Sequence, residues 1–139
     1  EVLGIPAADA EDAGDTMGIL FSLAVPRAGC IVDARFIDID FEGISKEVWL
    51  FNSIVVPAAN DAAFSITDED LRASHVGTLT FSTYLTAAAS EVSRSGDTPL
   101  WYVAPSGYLY AVVKTLGADN IAALKSPWIK LTIERYSDK

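Results

Sequence analysis

Apolar residues recur at every second position in several short segments of this chain, and this alternation limits its fold more than any other feature. In residues 128–136, the apolar positions are Ile129, Leu131 and Ile133, and polar residues separate them. Successive side chains of a β-strand point to opposite faces, so such a segment buries one face and exposes the other. The alternation therefore predicts strands that each contribute one face to a core.

Turn-forming residues divide the chain into about seven to eight strands of this kind, at spacings typical of a β-sandwich. The long crossover helices of parallel α/β folds are missing. We therefore expect an all-β, antiparallel and jelly-roll-like β-sandwich. The predicted strands cover residues 17–25, 30–41, 46–56, 78–82, 100–103, 108–116 and 128–136.

Three segments depart from the strand pattern. The hydroxyl of Thr67 can cap a short helix whose first turn holds the acidic residues 68–70. Residues 86–97 fit either a loop or a frayed helical turn. Residues 1–15 are rich in Ala, Asp and Gly and have no sustained period. We expect an extended N-terminal arm over 1–15 and a single β-sandwich domain over 16–139.

The second predicted strand changes its apolar phase partway along. Val32, Ala34 and Phe36 share one face, and the apolar positions move to the other face from Ile37 onward. A one-residue change of phase exposes core side chains unless an inserted residue corrects it. The sequence therefore predicts a β-bulge or bend near Phe36 and Ile37.

The third predicted strand is apolar on both faces. Val48 and Leu50 point one way, and Trp49 and Phe51 point the other way. A strand of this composition lies centrally in a sandwich or is covered by a partner.

Length and charge exclude several classes of protein. The chain has 139 residues, half of them hydrophobic, and a formal net charge of −9 at pH 7. Its ten Lys and Arg residues are scattered, whereas nucleic-acid-binding proteins cluster such residues. No apolar run approaches the roughly 20 residues that span a bilayer. We therefore expect one domain that binds neither nucleic acid nor a membrane.

Residues suited to enzyme chemistry are few. Cys30 is the only cysteine and His75 the only histidine, so a nucleophile has little choice of base. One residue of each type cannot supply the usual ligands of structural zinc. We expect a protein that is not an enzyme and has no cofactor or metal, with Cys30 buried and His75 at a helix end or on the surface.

Acidic residues leave two alternatives open. Asp38 and Asp40 share a strand face, and residues 68–70 gather at the helix start, as calcium ligands often do. A solvated acidic face and a helix cap explain the same residues. A small hydrolase that uses a carboxylate pair is a further alternative, although the sequence singles out no pair.

Aromatic residues near the end of the chain form the candidate interface. Trp101, Tyr102, Tyr108 and Tyr110 lie in segments that are apolar or aromatic on both faces. One face can pack in the core, and the other then meets solvent or a neighbour. Because large exposed aromatic patches are rare on monomers, we expect an oligomer. The same residues could instead form a stacking platform for sugars.

Four segments carry a distinctive series of packing motifs: 14–18 (GDTMG), 48–52 (VWLFN), 60–71 (NDAAFSITDEDL) and 77–81 (GTLTF). An apolar strand ending in LF leads into an N-D-x-x-F turn, a T-D-x-D-L helix start and a G-x-(I/L)-x-F strand, and a G-D-x-(I/V)-G motif precedes them. In this series the chain resembles a group of small virion structural proteins of tailed bacteriophages.

The resemblance rests on packing motifs, so it carries over no functional residue. It implies a capsid decoration (cement) protein or another accessory component of the virion. The implied partners are the major capsid protein and copies of the chain itself, arranged as a trimer or another small ring. The implied location is the capsid surface, where the arm over residues 1–15 would reach a neighbour. A receptor- or carbohydrate-binding module of a phage fibre or tail is the alternative.

Overall fold

The computed structural model confirms the predicted all-β sandwich, with 59% of the described residues in strands and 6% in helix. The strands form two antiparallel sheets that pack face to face. No helix in the described part of the chain has both the length and the apolar character needed to cross a membrane. The structure describes residues 2–4, 10–11, 13–38, 43–87, 90–120 and 127–135.

The described residues form twelve strands and one helix, and the strands beyond the predicted number are short. The elements are β1 (Val2–Gly4), β2 (Ala10–Glu11), β3 (Thr16–Ala24), β4 (Ala28–Asp38), β5 (Lys46–Phe51), α1 (Asp68–Ser74), β6 (His75–Phe81), β7 (Tyr84–Ala87), β8 (Ser90–Arg94), β9 (Leu100–Val103), β10 (Tyr108–Thr115), β11 (Asp119–Asn120) and β12 (Trp128–Arg135).

The first sheet is built around the long strand β4. Its order is β1-β12-β4-β8-β7, and β9 also pairs with β4. β9 and β8 share one edge of β4, because β9 pairs with its first four residues and β8 with its last four. The second sheet has the order β3-β10-β5-β6, and β11 pairs with β2 separately.

The main hydrophobic core lies between the two sheets. The rings of Phe36 and Phe81, one from each sheet, lie 5.6 Å apart between centroids. Leu50, Leu109 and Ile129 are fully buried in the same cluster. Core burial of this kind stabilises the sandwich by about 25 cal/mol for each Å² of apolar surface removed from water.

The predicted change of phase in the second predicted strand is present, but its predicted position is wrong. β4 pairs Asp33 with Thr132 and Ile31 with Ile133, so Val32 is an inserted residue. After this bulge, Ala34 and Phe36 continue the buried face and Val32 is exposed. The bulge therefore lies about four residues before the predicted position. Hydropathy alone placed Val32 in the core, although the backbone turns it outward.

Residues 86–97, expected as a loop or helical turn, contribute instead to the β7–β8 hairpin, and this expectation is wrong. In this hairpin, polar side chains point to the interior and apolar side chains point outward, the reverse of the usual pattern. Glu91 and Ser93 point inward and are buried, whereas Leu85 on the neighbouring strand is exposed. Because the inward positions are polar, the sequence shows no apolar alternation that would predict strands here.

The described residues of the predicted arm pair within this chain. β1 pairs with β12, and β2 pairs with β11. The Gly14 N–H donates to the Thr115 carbonyl at 2.8 Å, and the Thr115 N–H donates to the Asp15 carbonyl at 3.0 Å. Gly14 and Asp15 therefore belong to the domain's hydrogen-bond network, whereas the reach of residues 1–12 to a neighbour stays a prediction.

Residues 52–74, which we call the covering segment, lie over the outer face of the second sheet. Val55 is buried there, and Phe64, Ile66 and Leu71 pack with it against the outer side of the sheet. The Asn52 N–H donates to the Ser74 carbonyl at 2.9 Å, which joins the two ends of the segment. The doubly apolar strand β5 is thus covered by its own chain.

The helix within the covering segment begins as predicted. The Thr67 hydroxyl accepts a hydrogen bond from the Asp70 N–H at 3.2 Å, and Asp68, Glu69 and Asp70 occupy the first turn. Acidic residues are favourable at that end because free N–H groups and the helix dipole place positive charge there.

Candidate interaction surface

The four aromatic residues of the predicted interface do not lie on one surface. Trp101 is exposed on the outer side of the first sheet. Tyr108 and Tyr110 belong to the second sheet, with ring centroids 6.4 Å apart, and Tyr110 packs against the cluster beneath the covering segment. Tyr102 is only 5% exposed and belongs to the core, so its inclusion in an exposed interface is wrong.

Tyr102 turns inward because it neighbours Trp101 on a strand, and adjacent side chains point to opposite faces. Gly29 on β4 is the register partner of Tyr102 on β9, and there is little space around its Cα atom. A Cβ atom at Gly29 would stand 2.8 Å from the Glu134 carbonyl oxygen and 3.0 Å from the Tyr102 hydroxyl. Burial raises the pKa of the Tyr102 hydroxyl, and the nearby Cys30 side chain raises it further by a smaller amount. Cys30 is buried, as predicted.

The outer side of the first sheet, which we call the first-sheet face, is not covered by any described residue of the chain. Its exposed apolar side chains come from four strands. They are Leu85 (72% exposed), Trp101 (65%), Val103 (60%), Val32 (41%) and Trp128 (40%). Scattered apolar side chains are normal on a surface, but several large ones on one sheet face are typical of an interaction surface.

The two tryptophans mark opposite ends of the first-sheet face. Trp101 pairs with Cys30 near the start of β4, and Trp128 pairs with Ile37 near its end. At about 3.3 Å per residue along a strand, these positions are roughly 20 Å apart. The face is therefore long enough to contact another protein and not just a small molecule.

Charged side chains occupy the middle of the first-sheet face. Asp33 accepts hydrogen bonds from the Arg94 Nε at 2.6 Å and from the Arg35 Nε at 3.0 Å. The bond from Arg94 lowers the pKa of the Asp33 carboxyl, with a further contribution from Arg35, while partial burial acts in the opposite direction. Two guanidinium groups share one carboxylate, so the cluster has a formal charge of +1.

Two shallow cavities of about 380 Å³ each open on this face. One lies beside the charged cluster and includes Leu85 and Val92 in its wall. The other is lined by Ala28 and Gly29 of β4 and by Trp101, Tyr102 and Val103 of β9. Both have apolar walls beside exposed aromatic or cationic groups, a composition common at binding surfaces.

A buried carboxyl pair lies at the opposite end of β4 from Trp101. Asp38 and Glu91 are register partners on β4 and β8, and each is 6% exposed. Burial raises the pKa of the Glu91 carboxyl, as does the charge of Asp38, while the N–H of Gly43 and the charge of Lys46 oppose the shift. The pair faces the interior between the sheets, and neither described cavity includes it.

His75 packs among aromatic rings at the end of α1. Its ring centroid lies 5.2 Å from that of Trp49 and 5.5 Å from that of Phe51, and its Nε2 atom is 3.0 Å from the Thr78 hydroxyl. Burial lowers the pKa of the His75 imidazole. The residue caps the helix end, as expected, and contributes to packing beneath the covering segment.

The predicted acidic groups are only partly described. Asp40, the predicted neighbour of Asp38 on one strand face, lies outside the described residues. Among the residues that the structure describes, no group of three or more His, Cys, Asp or Glu side chains could hold a metal ion.

A scan of family models and searches of curated proteins and of solved structures find no match to this chain.

Proposed function

We propose that this protein is a non-enzymatic structural component of a tailed-bacteriophage virion, specifically a capsid decoration (cement) protein that binds the outer capsid shell and stabilises it. The first-sheet face is the observation that carries the proposal. Exposed apolar side chains at both ends of one sheet face, with a charged cluster between them, suit a protein that assembles with other proteins. The sequence resemblance supplies the virion as the setting.

The proposed partners are the major capsid protein and copies of the chain itself. Virion components repeat many times, and copies of one chain usually meet in closed rotational symmetry, such as a trimer or another small ring. The N-terminal arm supports this role, because its sequence is acidic and has no sustained apolar period. Its place would be the outer surface of the capsid.

The proposal is tested by adding the purified protein to capsids assembled without it. We expect saturable binding when the capsids are pelleted, a higher temperature of capsid disruption, and added density at the outer radius in cryo-electron images. Failure to bind, or binding at the tail alone, would contradict the proposed function.

A deletion variant asks whether the arm makes this contact. Removing residues 1–12 spares Gly14 and Asp15, whose hydrogen bonds to Thr115 belong to the domain. The variant also loses β1 and β2, so we expect a folded domain with a slightly weaker strand signal in circular dichroism and weaker capsid binding. Unchanged capsid binding would remove the arm from the proposal.

Trp101 also supports a second candidate, a receptor- or carbohydrate-binding module of a phage fibre or tail. Its ring is exposed beside a cavity of about 380 Å³, and aromatic faces are common sugar-stacking platforms. A glycan array separates the candidates. Hits that disappear in Trp101→Ala would favour the module, whereas an array without hits would count against it.

A further inference from the structure

The first-sheet face is large enough to form a stable protein–protein contact. β4 has eleven residues, so the face is roughly 36 Å long at about 3.3 Å per residue. Four adjacent strand positions, at about 4.8 Å each, give a width of roughly 19 Å. Because the strands beside β4 are shorter, the area is at most about 700 Å² per copy and about 1,400 Å² for a pair, which reaches the lower part of the standard range.

Charge identifies a second copy of this chain as a suitable occupant. The whole chain has a formal charge of −9, so two copies repel each other over most of their surfaces. The first-sheet face differs, because its outward cations Arg35, Arg94 and Lys130 exceed its carboxylates Asp33 and Glu134 by one. Two copies can therefore approach through this face without strong repulsion.

The face carries both cations and carboxylates, so the face of one copy can complement the same face of a second copy. Arg35 and Arg94 each bind Asp33 through the Nε atom. A guanidinium has five N–H donors, so its terminal nitrogens can still donate to carboxylates of another copy. An antiparallel arrangement about a twofold axis would bring the cations of each copy to Asp33 and Glu134 of the other.

We propose that two copies of this chain pair through their first-sheet faces about a twofold axis. Val32, Trp101 and Val103 would then be buried between two sheets that pack about 10 Å apart. A twofold pair is the smallest closed symmetric assembly, and both copies use the same surface in it. This inference rests on the proposed function, assigns the first-sheet face to the contact between copies, and replaces the trimer or small ring with a pair. It is tested without capsids.

Sedimentation velocity over a range of protein concentrations measures the pairing directly. We expect a species with twice the 14.9 kDa mass of the chain. Val103→Asp should weaken the dimer at least tenfold, because it places a carboxylate in the apolar part of the contact. Val56→Asp is the matched control, because Val56 is an exposed valine on the covering segment, and it should leave dimerisation unchanged.

Hydrogen–deuterium exchange on the wild-type protein gives a second measurement that needs no variant. On raising the protein concentration, we expect slower exchange in β4, β9 and β12 and unchanged exchange in residues 52–74. A chain that stays monomeric, assemblies larger than the dimer, or protection confined to residues 52–74 would overturn the inference. A dimer that fails to bind capsids would instead contradict only the proposed function.

Discussion

The two outer faces of the sandwich carry large apolar side chains, but the chain covers only one of them within its described residues. On the second sheet, Phe51 and Val112 are fully buried beneath residues 52–74. On the first sheet, Trp101 and Val103 are exposed. The same kind of apolar surface is thus covered within the chain on one side and left exposed by the described residues on the other.

Connection length explains why the second sheet is covered. The link between β5 and β6 is long enough to cross the sheet, and it includes both a helix and buried Val55. By contrast, β3 and β4 are separated by only three residues, 25–27, which cannot cover a face. A doubly apolar strand is therefore evidence of a partner only when no long neighbouring connection can cover it.

The largest expected difference compares Phe51 on the covered face with Trp101 on the uncovered face. Phe51→Ala should reduce the free energy of unfolding by about 3–5 kcal/mol, because it leaves a cavity where the side chain is fully buried. Trp101→Ala should cost less than about 1 kcal/mol at concentrations where the chain is monomeric. Urea unfolding measures both values.

Leu50→Ala serves as the reference for the main core, since Leu50 points between the sheets. We expect a loss of about 3–5 kcal/mol here as well. Equal losses at Phe51 and Trp101 would remove the distinction between the two faces.

Phe64→Ala should loosen the covering segment with a smaller cost of about 1–2 kcal/mol. The Phe64 ring lies 5.1 Å from the Trp49 ring between centroids, and the Lys114 ammonium lies 5.5 Å from the Phe64 centroid. Hydrogen exchange should quicken in residues 52–74 more than in the sheets. Val56→Ala is the control, since its exposed side chain should leave exchange unchanged, and a uniform response in both sheets would contradict a local role for Phe64.

Thr67→Ala should destabilise the covering segment by about 1 kcal/mol, because the Asp70 N–H loses its side-chain acceptor. Thr67→Ser keeps the hydroxyl and should restore most of the stability. Thermal unfolding followed by circular dichroism compares the two variants. Equal stability of the alanine and serine variants would mean that the cap does not hold this segment in place.

Asp33→Asn, on the uncovered face, should have the smallest effect, below about 1 kcal/mol for a solvent-facing ion cluster. The folded protein holds the Asp33 proton less tightly than the unfolded chain, because the pKa of this carboxyl is lowered from 3.8. The stabilisation is therefore present above pH 3.8 and disappears as the pH falls through the folded-state pKa. The difference in unfolding free energy between wild type and variant, measured against pH, should shrink toward zero in acid and in high salt. A difference independent of pH would exclude the ionised carboxylate as its source.

The sequence by itself determined the fold class, the main strands and the helix start. Period-two patterns such as Ile129, Leu131 and Ile133 reflect backbone geometry within one strand, and the Thr67 cap is likewise local. Such features are readable because neighbouring residues alone create them. The candidate surface was only partly readable, since Trp101 was identified and Val32, Leu85 and Trp128 were missed.

Only the tertiary structure decided which apolar faces are covered and where each strand changes phase. The bulge at Val32 depends on pairing with β12, and the β7–β8 hairpin depends on burial of the polar Glu91 and Ser93 against other strands. Tyr102 and Trp101 are equally aromatic in the sequence, yet the pairing of β9 with β4 buries one and exposes the other. Contacts between distant residues fix these outcomes, and hydropathy along one strand does not contain them.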